Sequence, residues 1–212
     1  MGEHSAKLEQ IAQEARAALS AAFAAREPGL RLSREAIQHA ATAIRATHRG
    51  EFPQARELIA ASEKAVRQAA EHLHAHPSVF YAGFLEDAQK EYAEAHITLA
   101  LVSGGKLLGP GELGVGAAPY LNGLGEAVGE LRRYVLDALR GDDTSRCEAL
   151  LDTMDEVYTI LVTMDFPDAL TRGLRRTTDM VRGVLERTRG DLTMALRQRR
   201  LEERLEGLER RE

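Results

Sequence analysis

Apolar positions recur along this chain with the period of a helix rather than of a strand. Phe80, Phe84, Ala88, Tyr92, Ala95, Leu99 and Val102 follow one another at steps of three or four, as do Leu121, Leu124, Val128, Leu131, Val135 and Leu139. Such steps lay a single apolar stripe along one face of a helix, with the polar residues turned away. Composition agrees, since hydrophobic residues make up 44% of the chain, aromatic ones only 5%, and Ala, Leu, Glu and Arg, all strong helix formers, are abundant. The expectation is an all-α protein, a single domain over residues 1–212, with a core of Leu, Ala, Val and Ile.

Proline punctuates helices, because it lacks a backbone donor and clashes with the preceding turn. Read this way, the six prolines and neighbouring glycines divide the chain into seven helices, at about 3–25, 31–49, 54–75, 77–103, 118–139, 145–163 and 168–206. Pro28-Gly29 separates the first two, and Gly50 to Pro53 the second and third. The stretch from Gly104 to Gly116 holds six of the 18 glycines together with Pro110, and is expected to be the one substantial loop, over about residues 104–117. Arg140-Gly141-Asp142-Asp143-Thr144 ends the fifth helix and caps the sixth. The tail from Leu201 to Glu212 alternates charges with Leu201, Leu205 and Leu208, as a short coiled segment or a frayed end would.

No run approaches the ~20 apolar residues that a membrane span needs, and Met1 to Gln10 carries charges without an apolar signal region. The expectation is a cytoplasmic protein with no membrane contact. The single cysteine, Cys147, excludes an internal disulfide framework and a cysteine-rich zinc site, and reads as a small apolar helix residue. A net charge of −5 excludes a uniformly basic coat, so the placement of charge matters more than its sum. Nine arginines against three acids lie between Arg172 and Arg200, and four arginines against Glu35 between Arg31 and Arg49.

Candidate chemistry follows from the acids. Asp87, Glu91 and Glu94 are spaced i, i+4, i+7 beside the aromatic stripe of one predicted helix, and Asn122, Glu126 and Glu130 are spaced i, i+4, i+8 on another. Neighbouring like charges on a helix cost a few tenths of a kcal/mol per pair, so these rows need a cation or open solvent. Two such helices could converge on Mg²⁺ or Mn²⁺, which prefer hard oxygen ligands and leave positions for water and phosphate. Solvated acidic faces are the plain alternative, with Lys90 four residues before Glu94 and Arg133 three after Glu130 as ready counter-charges. Glu71 to His74 gives one Glu-x-x-His, whereas di-iron bundles use two, so His72, His74 and His76 read as the basic end of a helix. Arg34, Gln38, Arg45, His48 and Arg49 share a face suited to phosphates, without interleaved aromatics for base stacking.

The run Pro119-Tyr120-Leu121-Asn122-Gly123-Leu124-Gly125-Glu126-Ala127-Val128-Gly129-Glu130-Leu131-Arg132-Arg133 resembles the signature of the translin/TRAX family. Glu91-Tyr92-Ala93-Glu94-Ala95 is similar to the Glu-Tyr-x-Glu-Ala of TRAX, where translin carries an apolar equivalent. Leu32-Ser33-Arg34 with the helix to His48-Arg49 is also TRAX-like, and Leu170 to Thr193 looks like archaeal members. The resemblance spans about residues 30–195 and implies a seven-helix translin-like bundle, assembly into a closed homo-oligomer, an octamer, around nucleic acid, and metal-dependent endoribonuclease activity. It further implies that Glu91, Glu94 and Glu126 hold Mg²⁺ (or Mn²⁺) and act in catalysis, with Glu130 ligating or positioning water. The third of these positions is usually Asp in TRAX. Arg34, Arg45, Arg49, Arg132 and Arg133 are the candidates for contacts to single-stranded RNA or to DNA. Two other readings stay open: a non-catalytic RNA/DNA-binding oligomer of the translin type, and a metal bundle unrelated to RNA.

Overall fold

Pro28 does not end a helix. In the computed structural model, which describes residues 3–141 and 143–209, α1 runs unbroken over Glu3–His48, with Pro28 inside it. The expected pair of helices is one. The bond that Pro28 cannot make, and the clash of its ring, fall on a turn whose side chains are largely exposed, so the cost is borne where solvent reaches the backbone. Beyond it Gly29 holds the helix to its course, because a Cβ there would lie 2.7 Å from the Leu73 side chain. Residues 4–27 therefore form an exposed helical arm ahead of the part of α1 that is packed into the bundle.

The next helix, α2, spans Phe52–Leu73 with Pro53 in its first turn. The expected helix over 77–103 is two, a single turn α3 (Pro77–Phe80) and α4 (Phe84–Ser103), because Gly83 at φ 100° leaves the right-handed region. The loop after α4 contains one short turn, α5 (Pro110–Leu113), and is tied down by the Tyr120 hydroxyl, which donates to the Leu108 carbonyl at 2.9 Å. Then follow α6 (Ala117–Arg140) and α7 (Cys147–Val162), both within two residues of expectation. The expected last helix is divided into α8 (Asp168–Thr171) and α9 (Leu174–Glu209), since Arg172 and Gly173 stand in succession at φ 53° and 87°. Arg172 is held there by an ion pair from its Nε to Glu86 Oε2 at 2.8 Å. Nine helices and no strand are present among the described residues. Asp142 and residues 210–212, parts of the expected cap and tail, lie outside them.

α1 packs on α2 and α4, while α6 lies against α4, α7 and α9. Both apolar stripes enter one continuous core, which includes Ala88, Tyr92, Leu99, Val102, Leu124, Val128, Leu131 and Val135. Cys147 is buried in it, as expected of an apolar position. Two guanidinium hydrogen bonds from Arg146, at the start of α7, go to the carbonyls of Leu101 and Val102 and close the end of α4. No described helix is long and apolar enough to cross a membrane.

One buried group makes acid stability readable. His96 Nδ1 on α4 is buried with no hydrogen-bond partner among the described residues, and burial pushes the imidazole pKa down against the weaker pull of Glu63 and Glu112. An unfolded chain binds a proton there more readily than the folded one, so the stability held above the ordinary histidine range is lost as pH falls through it. His96→Leu is expected to soften that loss, its melting temperature gaining on wild type between about pH 7 and pH 5; parallel melting curves would refute the assignment.

Candidate functional site

The site depends on how closely two helices approach. A Cβ on Gly123 of α6 would sit 2.7 Å from the Lys90 carbonyl oxygen and 3.1 Å from the Glu94 amide nitrogen of α4, so only glycine permits this crossing. On the other side of α6, a Cβ on Gly125 would lie 2.4 Å from Thr177 Cγ2 of α9. Asn122 fixes the helix between these contacts. Its amide donates to the Thr171 carbonyl at 2.9 Å and its carbonyl accepts from the Thr177 hydroxyl at 2.7 Å. The expectation that Asn122 shares a polar row with Glu126 and Glu130 is thus corrected: eight residues turn a helix well past two full turns, and Asn122 is buried as a link to α8 and α9.

One turn on from Gly123, Glu126 meets the acids of α4. Ligand oxygens of Glu91, Glu94 and Glu126 all lie within 4.8 Å of one another. Asp87 is exposed and stands outside the group. Glu94 is the deepest member, 8% exposed, and makes no hydrogen bond or ion pair among the described residues. Burial, then the charges of Glu91, Glu126 and Glu130, push its pKa up to about 8. Lys90 offsets this only weakly, because its direct partners are other acids. Its Nζ lies 2.8 Å from Glu126 Oε1 across the helix interface and 3.3 Å from Glu91 Oε1. Burial pulls the Lys90 pKa down, but the hydrogen bond and charge of Glu126 and the charge of Glu91 outweigh it, so the ammonium is retained.

Glu130 lies one turn further along α6 and belongs to a different contact. His48 at the end of α1, with its side chain 5% exposed, places Nε2 2.5 Å from Glu130 Oε2, and Arg133 stands 3.9 Å away. The hydrogen bond from His48 holds the Glu130 carboxyl below the usual range despite burial. Nε2 carries the proton, because a carboxylate only accepts. The structure therefore unites three of the four expected glutamates and sets the fourth beside them, paired to a histidine read from sequence only as part of a basic face. No local spacing signals that pair, which joins residues 82 apart.

The arginines divide. Arg34 and Arg45 are exposed on α1; Arg49 is exposed too and paired to Glu51 at 2.6 Å. Arg133 is about half exposed. Arg132 is committed to α9, donating to Thr188 Oγ1 at 3.1 Å and to Asp191 Oδ2 at 2.7 Å. Glu71 and His74 build no metal group; His74 Nδ1 lies instead 3.1 Å from the Glu71 carbonyl. The acids of α4 and α6 form the one such cluster among the described residues.

Three carboxylates converging this closely suit one hard divalent cation, whose neighbouring oxygen ligands stand roughly 3 Å apart at its ~2.1 Å bond lengths. Without a cation, the raised pKa of Glu94 has a cost. The folded chain keeps a proton that the unfolded chain has released, so stability falls as pH rises from the ordinary glutamate range to about 8. In EDTA, Glu94→Gln is expected to melt a few degrees above wild type near pH 8, an advantage that vanishes toward pH 4 to 5; equal melting temperatures throughout would contradict it. Gly123→Val should cost about 1–3 kcal/mol in urea unfolding by forcing α4 and α6 apart, and a neutral outcome would show that the crossing is not tight.

No family model matches the sequence. An uncharacterised protein of Methanocaldococcus jannaschii, MJ0175, is 31% identical over 185 residues, covering 85% of this chain and 80% of its own. Among solved structures, AfC3PO is 32% identical with a TM-score of 0.81, over 88% of this chain and 97% of its own. AfC3PO has also been solved in complex with duplex RNA, and that structure matches over the same shares, at 31% identity and the same TM-score. NeC3PO, at 18% identity and TM-score 0.72 over 89% of this chain and 96% of its own, shares the fold. With the all-helical architecture and the closely crossed α4 and α6 already described, these matches over nearly whole chains establish that the protein belongs to the translin/C3PO family.

Proposed function

We propose that this protein is a Mg²⁺-dependent endoribonuclease of the TRAX type, Mn²⁺ serving as a substitute, which cleaves single-stranded RNA inside a closed homo-oligomer. The observation that carries this reading is the convergence of Glu91, Glu94 and Glu126 within 4.8 Å, with Glu94 buried and without a hydrogen bond or ion pair among the described residues. Nothing in the apolar packing requires an unpaired carboxyl at that depth, and burying one is expensive unless a cation repays it. Glu91, Glu94 and Glu126 would hold the metal, which when bound supplies a lowered pKa for water and charge neutralisation at a phosphoryl oxygen.

The rest of the chemistry belongs to the chain. Glu130, oriented by His48 and kept ionised, is placed to accept a proton from water or to position it. Arg34, Arg45, Arg49 and Arg133 offer exposed guanidinium groups to phosphates. Arg132 contributes by fixing α6 against α9. The duplex RNA bound by AfC3PO supports RNA as the ligand class, and both strand forms belong in the test. Assembly is supported by the arm of α1, which leaves Leu8, Ile11, Leu19 and Phe23 exposed at helical spacing.

One observation favours a non-catalytic binder of the translin type instead: Lys90 already neutralises part of the acidic cluster. Purified protein with labelled single-stranded and duplex RNA separates the two readings. Cleavage is expected only with Mg²⁺ or Mn²⁺, and Glu94→Gln should lower its rate at least about a hundredfold, the loss of several kcal/mol of charge stabilisation, with RNA affinity unchanged. RNA binding in EDTA with no cleavage after Mg²⁺ is restored, or a Glu94→Gln variant as fast as wild type, would overturn the nuclease.

A further inference from the structure

The cation position between the two helices is not left to a metal alone. Lys90 Nζ bridges Glu126 Oε1 at 2.8 Å and Glu91 Oε1 at 3.3 Å, so two of the three carboxylates that converge there share one ammonium. The third, Glu94, is 8% exposed and makes no ion pair with it, although it lies on the same helix one turn away and feels its charge as the weakest of its neighbours. The Lys90 side chain is itself only 24% exposed, so the contact is sheltered from the screening that makes surface ion pairs weak. A divalent ion bound through Glu91 and Glu126 would meet a positive charge already paired with both carboxylates.

We propose that Lys90 is a resident counter-ion of the site, which a divalent metal must displace from Glu91 and Glu126 before it can bind. This rests on the metal-dependent reading above and adds a residue to it. Lys90 keeps the acidic cluster tolerable in the metal-free protein, leaves Glu94 as the oxygen donor still open, and so sets a threshold on metal affinity. Metal entry exchanges one monovalent, three-donor cation for a divalent one that can also reach Glu94. The displaced ammonium stays tethered beside the site, where a phosphate is the partner best matched to it.

The test is Mn²⁺ binding to the full chain in the absence of RNA, followed by calorimetry and by the electron paramagnetic resonance of free Mn²⁺, for wild type, Lys90→Met, Lys90→Arg and Glu94→Gln. Lys90→Met is expected to bind Mn²⁺ about tenfold tighter than wild type, a change of ~1.4 kcal/mol, while Lys90→Arg, which keeps the charge, binds no tighter. Lys90→Gln provides the same comparison if the methionine variant fails to fold by circular dichroism. Neutral variants that bind no tighter than a wild type whose Mn²⁺ affinity depends on Glu94 would overturn the counter-ion and leave the metal reading intact. No Mn²⁺ binding by any of the proteins, or binding indifferent to Glu94→Gln, would overturn both.

Discussion

The close crossing of α4 and α6 at Gly123 is the constraint on which the site depends. With a side chain there, the Lys90 carbonyl and the Glu94 amide would be pushed away, and Glu126 would lose its reach to the acids of α4. The same closeness creates the electrostatic problem. Glutamates brought together at a half-buried interface repel strongly, since the effective dielectric there is far below that of water. The fold resolves this in three ways at once: an ammonium between Glu91 and Glu126, a proton favoured on Glu94, and a histidine for Glu130. Each is a local answer to a packing decision made by one glycine.

Much of the fold was legible because helical periodicity is a property of short windows. The stripes from Ala88 to Val102 and from Leu124 to Val135 entered the core as read, and α6 and α7 begin and end where glycine and proline suggested. The misreadings share a cause. Proline at 28 reads as a stop in the sequence, yet its penalty depends on whether solvent can reach the freed carbonyl, which only the packed structure decides. Gly83 and the pair Arg172-Gly173 fall inside spans expected to be continuous helix, and their positive φ angles end them. At the site, the glutamates were readable from spacing sharpened by family resemblance. The roles of Asn122, His48 and Arg132 were not, because each is settled by a partner 49 to 82 residues away.

The basic excess of the last third of the chain likewise means less than its count suggests. Arg172 pairs with Glu86, Arg182 with Glu186, and Arg189 with Asp155. Arg132 of α6 meets Asp191 of α9, so an acid of that segment is in turn neutralised from a neighbouring helix. The first, third and fourth of these tie one helix, or the end of one, to another, whereas Arg182 and Glu186 pair within α9; on the α1 side Arg31 and Arg49 are likewise paired, to Glu35 and Glu51.

The arm of α1 carries a different kind of consequence. A helix in water gains little from its own hydrogen bonds, which barely repay the entropy of fixing the backbone, and draws most of its stability from the packing of an apolar face. Leu8, Ile11, Leu19 and Phe23 stay largely exposed among the described residues. Order in this segment is thus a collective property: it is set by what meets the stripe and at what concentration, and the lone polypeptide does not determine it.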